Sequence, residues 1–416
     1  MKLRQTAFRA NAGRQQARTR ATRLGSARAA AAAALAAGLA ACGGGGGSGG
    51  AMPTSQTASQ SAGGYVDTAL VSDGAVAASH TDATLQNAWG LAFAPGGAFW
   101  VADNNDSLAT SYDGSGAASD LVVSIPDGSN GPANPSGEVY NATAGFLITS
   151  GGASAPAVFL FDGEGGTISG WNGGTSAVIA YDDGAVNGAN AAVYKGLALA
   201  SSGGASYLYA TDLHNAKIDV FDATFGKVSG PGGLFAGKFA DPAIPAGFAP
   251  FGITLLDGEL FVTYAMQNAA ADDEVTGAGL GYVDVFDTAG NVLQRFASGG
   301  ALNAPWGIAI APAGFGPAAG QVLIGNFGDG KINRFAMSGG AGLGALSTTG
   351  GTPLAIPGLW ALLPGAGALN AAAGDLYYTA GPDNQTDGIF GRISYTADSG
   401  SMSNYRDEAS AANAGK

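Results

Sequence analysis

Cysteine is almost missing from this chain of 416 residues, where Cys42 stands alone. A single cysteine excludes internal disulfides and Cys-based zinc sites. Histidine occurs only as His80 and His214. A Ser-His-Asp relay therefore has few possible bases, and no Gly-x-Ser-x-Gly elbow at a strand-to-helix turn accompanies them. Charge is scarce as well, at 12 % of residues, and one sign is scarcer, with 18 Lys and Arg against 31 Asp and Glu. Eight of the basic residues lie within the first 28, where there is no acid, so the remainder holds ten basic against 31 acidic residues, a net of −21. Duplex nucleic acid is excluded as a partner, because binding it takes clustered cations.

What is present begins with a leader. Its basic stretch, residues 1–28, is followed by an apolar run over 29–41 that is thirteen residues long. A membrane-spanning helix needs about 20, so the run reads as a signal h-region. It ends in Leu39-Ala40-Ala41-Cys42, which resembles the lipobox of bacterial lipoproteins. The resemblance implies cleavage before Cys42, lipidation of Cys42 and a membrane anchor there. With no aspartate after Cys42, it further implies the outer membrane. An ordinary secretory leader or a low-complexity cytosolic tail are the alternatives. Residues 43–50, all Gly except Ser48, and the Ser/Thr/Gln/Ala tract to Gly64 have too little apolar surface to fold and read as a tether. The expected organisation is a signal peptide over 1–41, a lipidated tether over 42–64, one folded domain over 65–396 and a frayed tail over 397–416.

The domain is rich in glycine, which occurs 71 times in the chain, and its apolar runs are short and bounded by Gly, Pro, Asn and Asp. That pattern is all-β. An x-Gly-apolar motif recurs as Trp89-Gly90-Leu91, Ser136-Gly137-Glu138, Lys195-Gly196-Leu197, Phe251-Gly252-Ile253, Trp306-Gly307-Ile308 and Pro357-Gly358-Leu359. These glycines are 47, 59, 56, 55 and 51 residues apart. Each copy continues into a second strand: Phe99 to Asp103, Phe146 to Thr149, Tyr207 to Asp212, Leu260 to Thr263, Val322 to Ile324 and Leu376 to Thr379. A third strand ends at Tyr112, Phe161, Phe221, Phe286 and Phe335, and runs from Ile389 to Ile393 in the last copy. Six units of this size predict a six-bladed β-propeller, with the strand from Tyr65 to Val71 completing the last blade and closing the ring. A seventh blade hidden between Gly114 and Asn134, or a pair of β-sandwiches, are the alternatives.

The segments Asn87-Ala88-Trp89-Gly90-Leu91-Ala92-Phe93, Gly165-Gly166-Thr167-Ile168-Ser169-Gly170-Trp171 and Tyr378-Thr379-Ala380-Gly381-Pro382 resemble an uncharacterised family of exported bacterial β-propeller proteins, distantly similar to NHL-repeat propellers. The resemblance covers about residues 65 to 396 and implies the fold but no activity.

In a propeller the loops entering each first strand and leaving each second strand share one face. Here they carry Asn87, Trp89, Asn104, Asp212, His214, Trp306, Asn326 and Asp329, the candidate ligand-binding residues. Carboxylate and amide oxygens suit calcium or another divalent cation, with Asp212, Asn326 and Asn104 as candidate ligands. Asn and Asp after a strand also cap turns through their own backbone. Asp272-Asp273-Glu274 reads as a solvated loop, with calcium capture as the alternative. Glu138 is the one first-strand position that offers a carboxylate. Two functions follow as expectations. One is a monomeric, lipid-anchored, non-catalytic module of the cell envelope that binds a protein, glycan or small molecule. The other is a metal-dependent, lactonase-like hydrolase.

Overall fold

The computed structural model describes residues 63–398; the leader, Cys42, most of the tether and nearly all of the tail lie outside them. Six antiparallel sheets follow one another along the chain. Blade 1 holds Ala88–Phe93, Phe99–Asp103, Leu108–Tyr112 and Val123–Ser124. Blade 2 holds Pro135–Tyr140, Phe159–Gly163, Thr167–Trp171 and Val178–Asp182, and blade 3 holds Tyr194–Ser202, Ala205–Asp212 and Lys217–Asp222. Blade 4 is Phe248–Leu256, Glu259–Gln267, Tyr282–Phe286 and Val292–Ser298; blade 5 is Pro305–Ile310, Val322–Asn326, Ile332–Phe335 and Gly342–Ala345. Blade 6 joins Leu359–Pro364, Leu376–Ala380 and Ile389–Thr396 to the N-terminal strand Gly64–Ser72. The protein is a six-bladed β-propeller.

The closing strand pairs from Gly64↔Thr396 to Ser72↔Ile389, so the outer edge of the last blade is covered by the start of the domain. The stretch between Gly114 and Asn134 is spent on blade 1's short outer strand and turns. Blade 3 has three strands, and its outer edge is dressed by the following loop: Val228 N–H donates to Val220 O, and Val220 N–H to Ser229 Oγ.

Packing follows the seams. Alternate residues of each strand face opposite neighbours, and the buried apolar residues form one cluster per seam. The cluster between blades 1 and 2 contains Trp100, Val123, Phe159 and Phe161, while that between blades 5 and 6 contains Leu323, Ile332, Leu362 and Ile393. A seventh cluster, with Trp89, Phe251 and Trp360, sits on the ring axis.

Two details differ from the sequence reading. The stretch from Phe146 to Thr149 is not the second strand of blade 2. Leu147–Ser150 folds back on Ala153–Pro156 as a separate hairpin, and Phe159–Gly163 pairs with the first strand instead. Leu147 is 54 % exposed while Ile148 is buried in the cluster between blades 2 and 3, so the β-pattern reflects a hairpin packed on a seam without joining the blade's sheet. In blade 6 the glycine of the repeat is replaced by Ala361. Leu359↔Ala380 and Leu362↔Tyr378 match Pro305↔Asn326 and Ile308↔Ile324, which aligns Ala361 with Gly307 and leaves Gly358 in the preceding turn.

Candidate functional site

Each blade's first strand is irregular at the same place. The register skips between Ala88 and Leu91, Pro250 and Ile253, Pro305 and Ile308, and Leu359 and Leu362. The skip displaces one residue per blade from the ladder: Trp89, Ser136, Lys195, Phe251, Trp306 or Trp360. The next residue is glycine in five blades because the neighbouring blade is too close for a side chain. A Cβ on Gly252 would stand 2.3 Å from Trp306 O, and one on Gly307 would stand 2.3 Å from Trp360 O. Hydroxyls tie adjacent blades at this level, as Thr211 Oγ1 donates to Phe251 O at 2.6 Å and Thr379 Oγ1 donates to Trp89 O.

These residues plug the channel at the end where the first strands begin. Trp89 and Trp360 stack at 3.7 Å, Phe327 stacks on Trp360 at 4.1 Å, and Trp306 meets both tryptophans edge-on at 6.3 and 6.1 Å. Lys195 Nζ lies 5.1 Å from the centre of Trp89, and Trp306 Nε1 donates to Lys195 O at 2.7 Å. A polar layer covers the aromatics. Trp360 Nε1 donates to Asn87 Oδ1 at 2.9 Å, Asn87 Nδ2 to Asn104 Oδ1 at 3.0 Å, and Asn104 Nδ2 to Glu164 Oε2 at 3.2 Å. Glu164 and Asp273 both pair with Lys195. Burial opposes the Lys195 charge, but Glu164, Glu274 and Asp273 outweigh it and hold the ammonium above lysine's ordinary range. Burial pushes Glu274 well up, against the pull of Lys195.

Of the residues singled out from sequence, Asn87, Trp89, Asn104 and Trp306 converge on this plug. Asp212 and His214 serve blade 3's turn. Asp212 accepts from Asn215 N–H at 3.1 Å and Asn215 Nδ2 at 2.8 Å, and His214 Nδ1 lies 3.1 Å from Ala271 O. Asn326 accepts from Asn303 N–H at 3.1 Å and donates to Ala301 O and to Asp329 Oδ1. Asp212 and Asn326 thus spend their polar atoms in their own loop networks, whereas Asn104 spends its own across the seam, on Asn87, Asn134 O and Glu164. The rung shared by Asp212 and Asn326 is completed in blade 1 by Asp103, paired with Ala88, and not by its neighbour Asn104. Among the described residues no three His, Cys, Asp or Glu gather in a group that could hold a metal. Lys195 and Glu164 were not among the residues singled out from sequence, and the Asp272-Asp273-Glu274 loop, read as solvated or calcium-capturing, instead faces Lys195. Lys195 carries a signal in hindsight, since it occupies the repeat position held by tryptophan or phenylalanine in four other blades.

The channel is open on the opposite face, where the first strands end, and not on the face expected from sequence. The opening is a cavity of about 530 Å³ lined by all six blades, inside the range of about 300–1,000 Å³ typical of small-molecule sites. Its wall is mostly aliphatic, with Leu91, Leu197, Ile253 and Leu362 near the floor beside Trp306 and hydroxyls of Thr143, Ser201 and Thr254 further out. Glu138 belongs to the wall, yet both its carboxyl oxygens are buried without a hydrogen-bond partner, and burial drives its pKa well above the carboxylate range.

Two uncharacterised proteins of Acanthamoeba polyphaga mimivirus, R648 and L690, are each 32 % identical to this chain, over 332 and 331 residues. The matches cover 78 % of this chain in both cases, 78 % of the first relative and 84 % of the second. The chain belongs to their family. No family model matches it. Among solved structures it is similar to an aldose sugar dehydrogenase from Escherichia coli in its apo-form, with 12 % identity, a TM-score of 0.47 and coverage of 79 % of this chain and 99 % of that one. A streptogramin B lyase is similar with 13 % identity, a TM-score of 0.44 and coverage of 81 % and 99 %.

Proposed function

We propose that this protein is a non-catalytic binding module, tethered to the cell envelope through lipidated Cys42, whose central cavity takes a small apolar molecule. The observation that carries the binding role is the cavity itself. Six strand ends surround it, aliphatic except for Glu138 and Tyr140 of blade 2, the aromatic plug closes its floor, and among the described residues no Lys, Arg or His lines it. Catalysis of hydrolysis would need an acid, a base or a metal at the reacting bond. Among the described residues the one carboxyl in the cavity, that of Glu138, keeps its oxygens buried in the protein. The tether rests on the leader alone, as the two relatives are viral and carry no information on export.

The binding role is tested by titrating the purified protein with N-phenyl-1-naphthylamine, an uncharged apolar fluorophore. Saturable enhancement at one site is expected, lost in Thr254→Trp and Ser201→Trp, which place an indole in the opening without touching the plug. Enhancement that survives both variants contradicts the proposal. The tether is tested by the mass of the N-terminal peptide from membranes. A diacylated or triacylated Cys42, absent in Cys42→Ser, is expected, and an unmodified Cys42 in the mature protein refutes it.

A further inference from the structure

Resting on the reading of the cavity as a ligand site, the structure assigns its occupant to one chemical class: we propose an uncharged molecule with an aliphatic tail and a hydroxyl or ester end. The tail is read from the floor, where Leu91, Leu197, Ile253 and Leu362 offer carbon and no polar side-chain atom. The hydroxyl or ester end is read from the distribution of polar groups. Thr143, Ser201 and Thr254 lie further out, and each hydroxyl both donates and accepts.

The absence of net charge in the ligand is read from what surrounds it. An anion entering an apolar cavity loses its hydration and needs a cation in exchange. Among the described residues no basic side chain lines the cavity. Lys195 lies in the plug, held by Glu164 and Asp273. A cation would need an accessible carboxylate, and both oxygens of Glu138 are shielded from solvent. Burial also pushes the Glu138 pKa well up, which disfavours a charge on the wall.

The test is calorimetric titration of the purified protein with octanol, decanol, decanoate and decylammonium at pH 8. Decanol is expected to bind at one site, and each added methylene to tighten binding about fourfold, as full burial of a methylene implies. Decanoate is expected to bind at least about 100-fold more weakly, the cost of stripping a carboxylate without a partner. Binding of decanol is expected to be lost in Thr254→Trp. Decanoate binding as well as decanol would overturn the proposal, by showing an anion site. Decylammonium binding more tightly than decanol, with the preference lost in Glu138→Gln, would overturn it in favour of a cation site. If the aromatic fluorophore binds at the cavity and no alkyl compound does, the aliphatic class is wrong and the binding role stands. If neither binds, both fail.

Discussion

At the scale of single residues, the most informative position is Glu138. It occupies the place that Leu91, Leu197, Ile253, Ile308 and Leu362 hold in the other blades, as the shared register shows. A carboxyl buried there without a partner costs stability. Glu138→Leu is therefore expected to raise the unfolding free energy by about 1–3 kcal/mol, measured by denaturant titration at pH 7; a loss of stability would show that the carboxyl has a partner in solution. Asp162 gives a pH signature. Burial pushes its pKa up to about 7, against hydrogen bonds from Gly137 N–H, the Ser136 hydroxyl and Gly196 N–H. In the unfolded chain the group titrates near 3.8, so between these values the folded state binds the proton and the unfolded state does not. Stability is then greatest below about pH 4, falls as pH rises and levels off above about 7, by up to about 4 kcal/mol for this group. Asp162→Asn keeps an acceptor for the same donors and is expected to flatten that part of the pH profile. An unchanged difference between pH 5 and pH 8 would contradict the assignment.

At the scale of elements, the blades depend on close approach at the axis. Gly307→Ala places a methyl carbon against Trp360 O and is expected to cost several kcal/mol, seen as a lower denaturation midpoint. The plug depends on charge balance. Lys195→Met leaves Glu164, Glu274 and Asp273 facing one another without their cation and is expected to cost about 3–5 kcal/mol, with partial recovery in the Lys195→Met, Glu164→Gln double variant. Equal stability of the single and double variants would deny the coupling. The blades were legible in the sequence because each repeats the same order of glycine, apolar strand and turn. Blade 2's second strand is ambiguous in the sequence since Ile148 is buried between exposed Leu147 and Thr149, a period-2 pattern that a hairpin packed on a seam and a strand of the blade share. Lys195 escaped notice because the reading sought turn acids and amides, whereas the plug is built from the residue just before each repeat's glycine.

At the scale of the whole molecule, ring closure and the channel are one design. The N-terminal strand supplies the outer edge of blade 6, so all seams are filled and every first strand is held against the axis. The number of blades and the closure could be read from spacing. The cavity could not, because its aliphatic wall residues also pack in the seams and have the composition of a core; only the ring's radius, which no local pattern encodes, leaves an opening beside them. Trp306 belongs to both regions, lining the cavity while its indole N–H is bonded across the channel to Lys195. The most direct test of the account is therefore the quenching of tryptophan fluorescence by a bromine-bearing decanol. Saturable quenching that weakens in Trp306→Phe and disappears in Thr254→Phe is the expected result; quenching that never saturates, or that is unchanged in both variants, would contradict a ligand site at the centre of the ring.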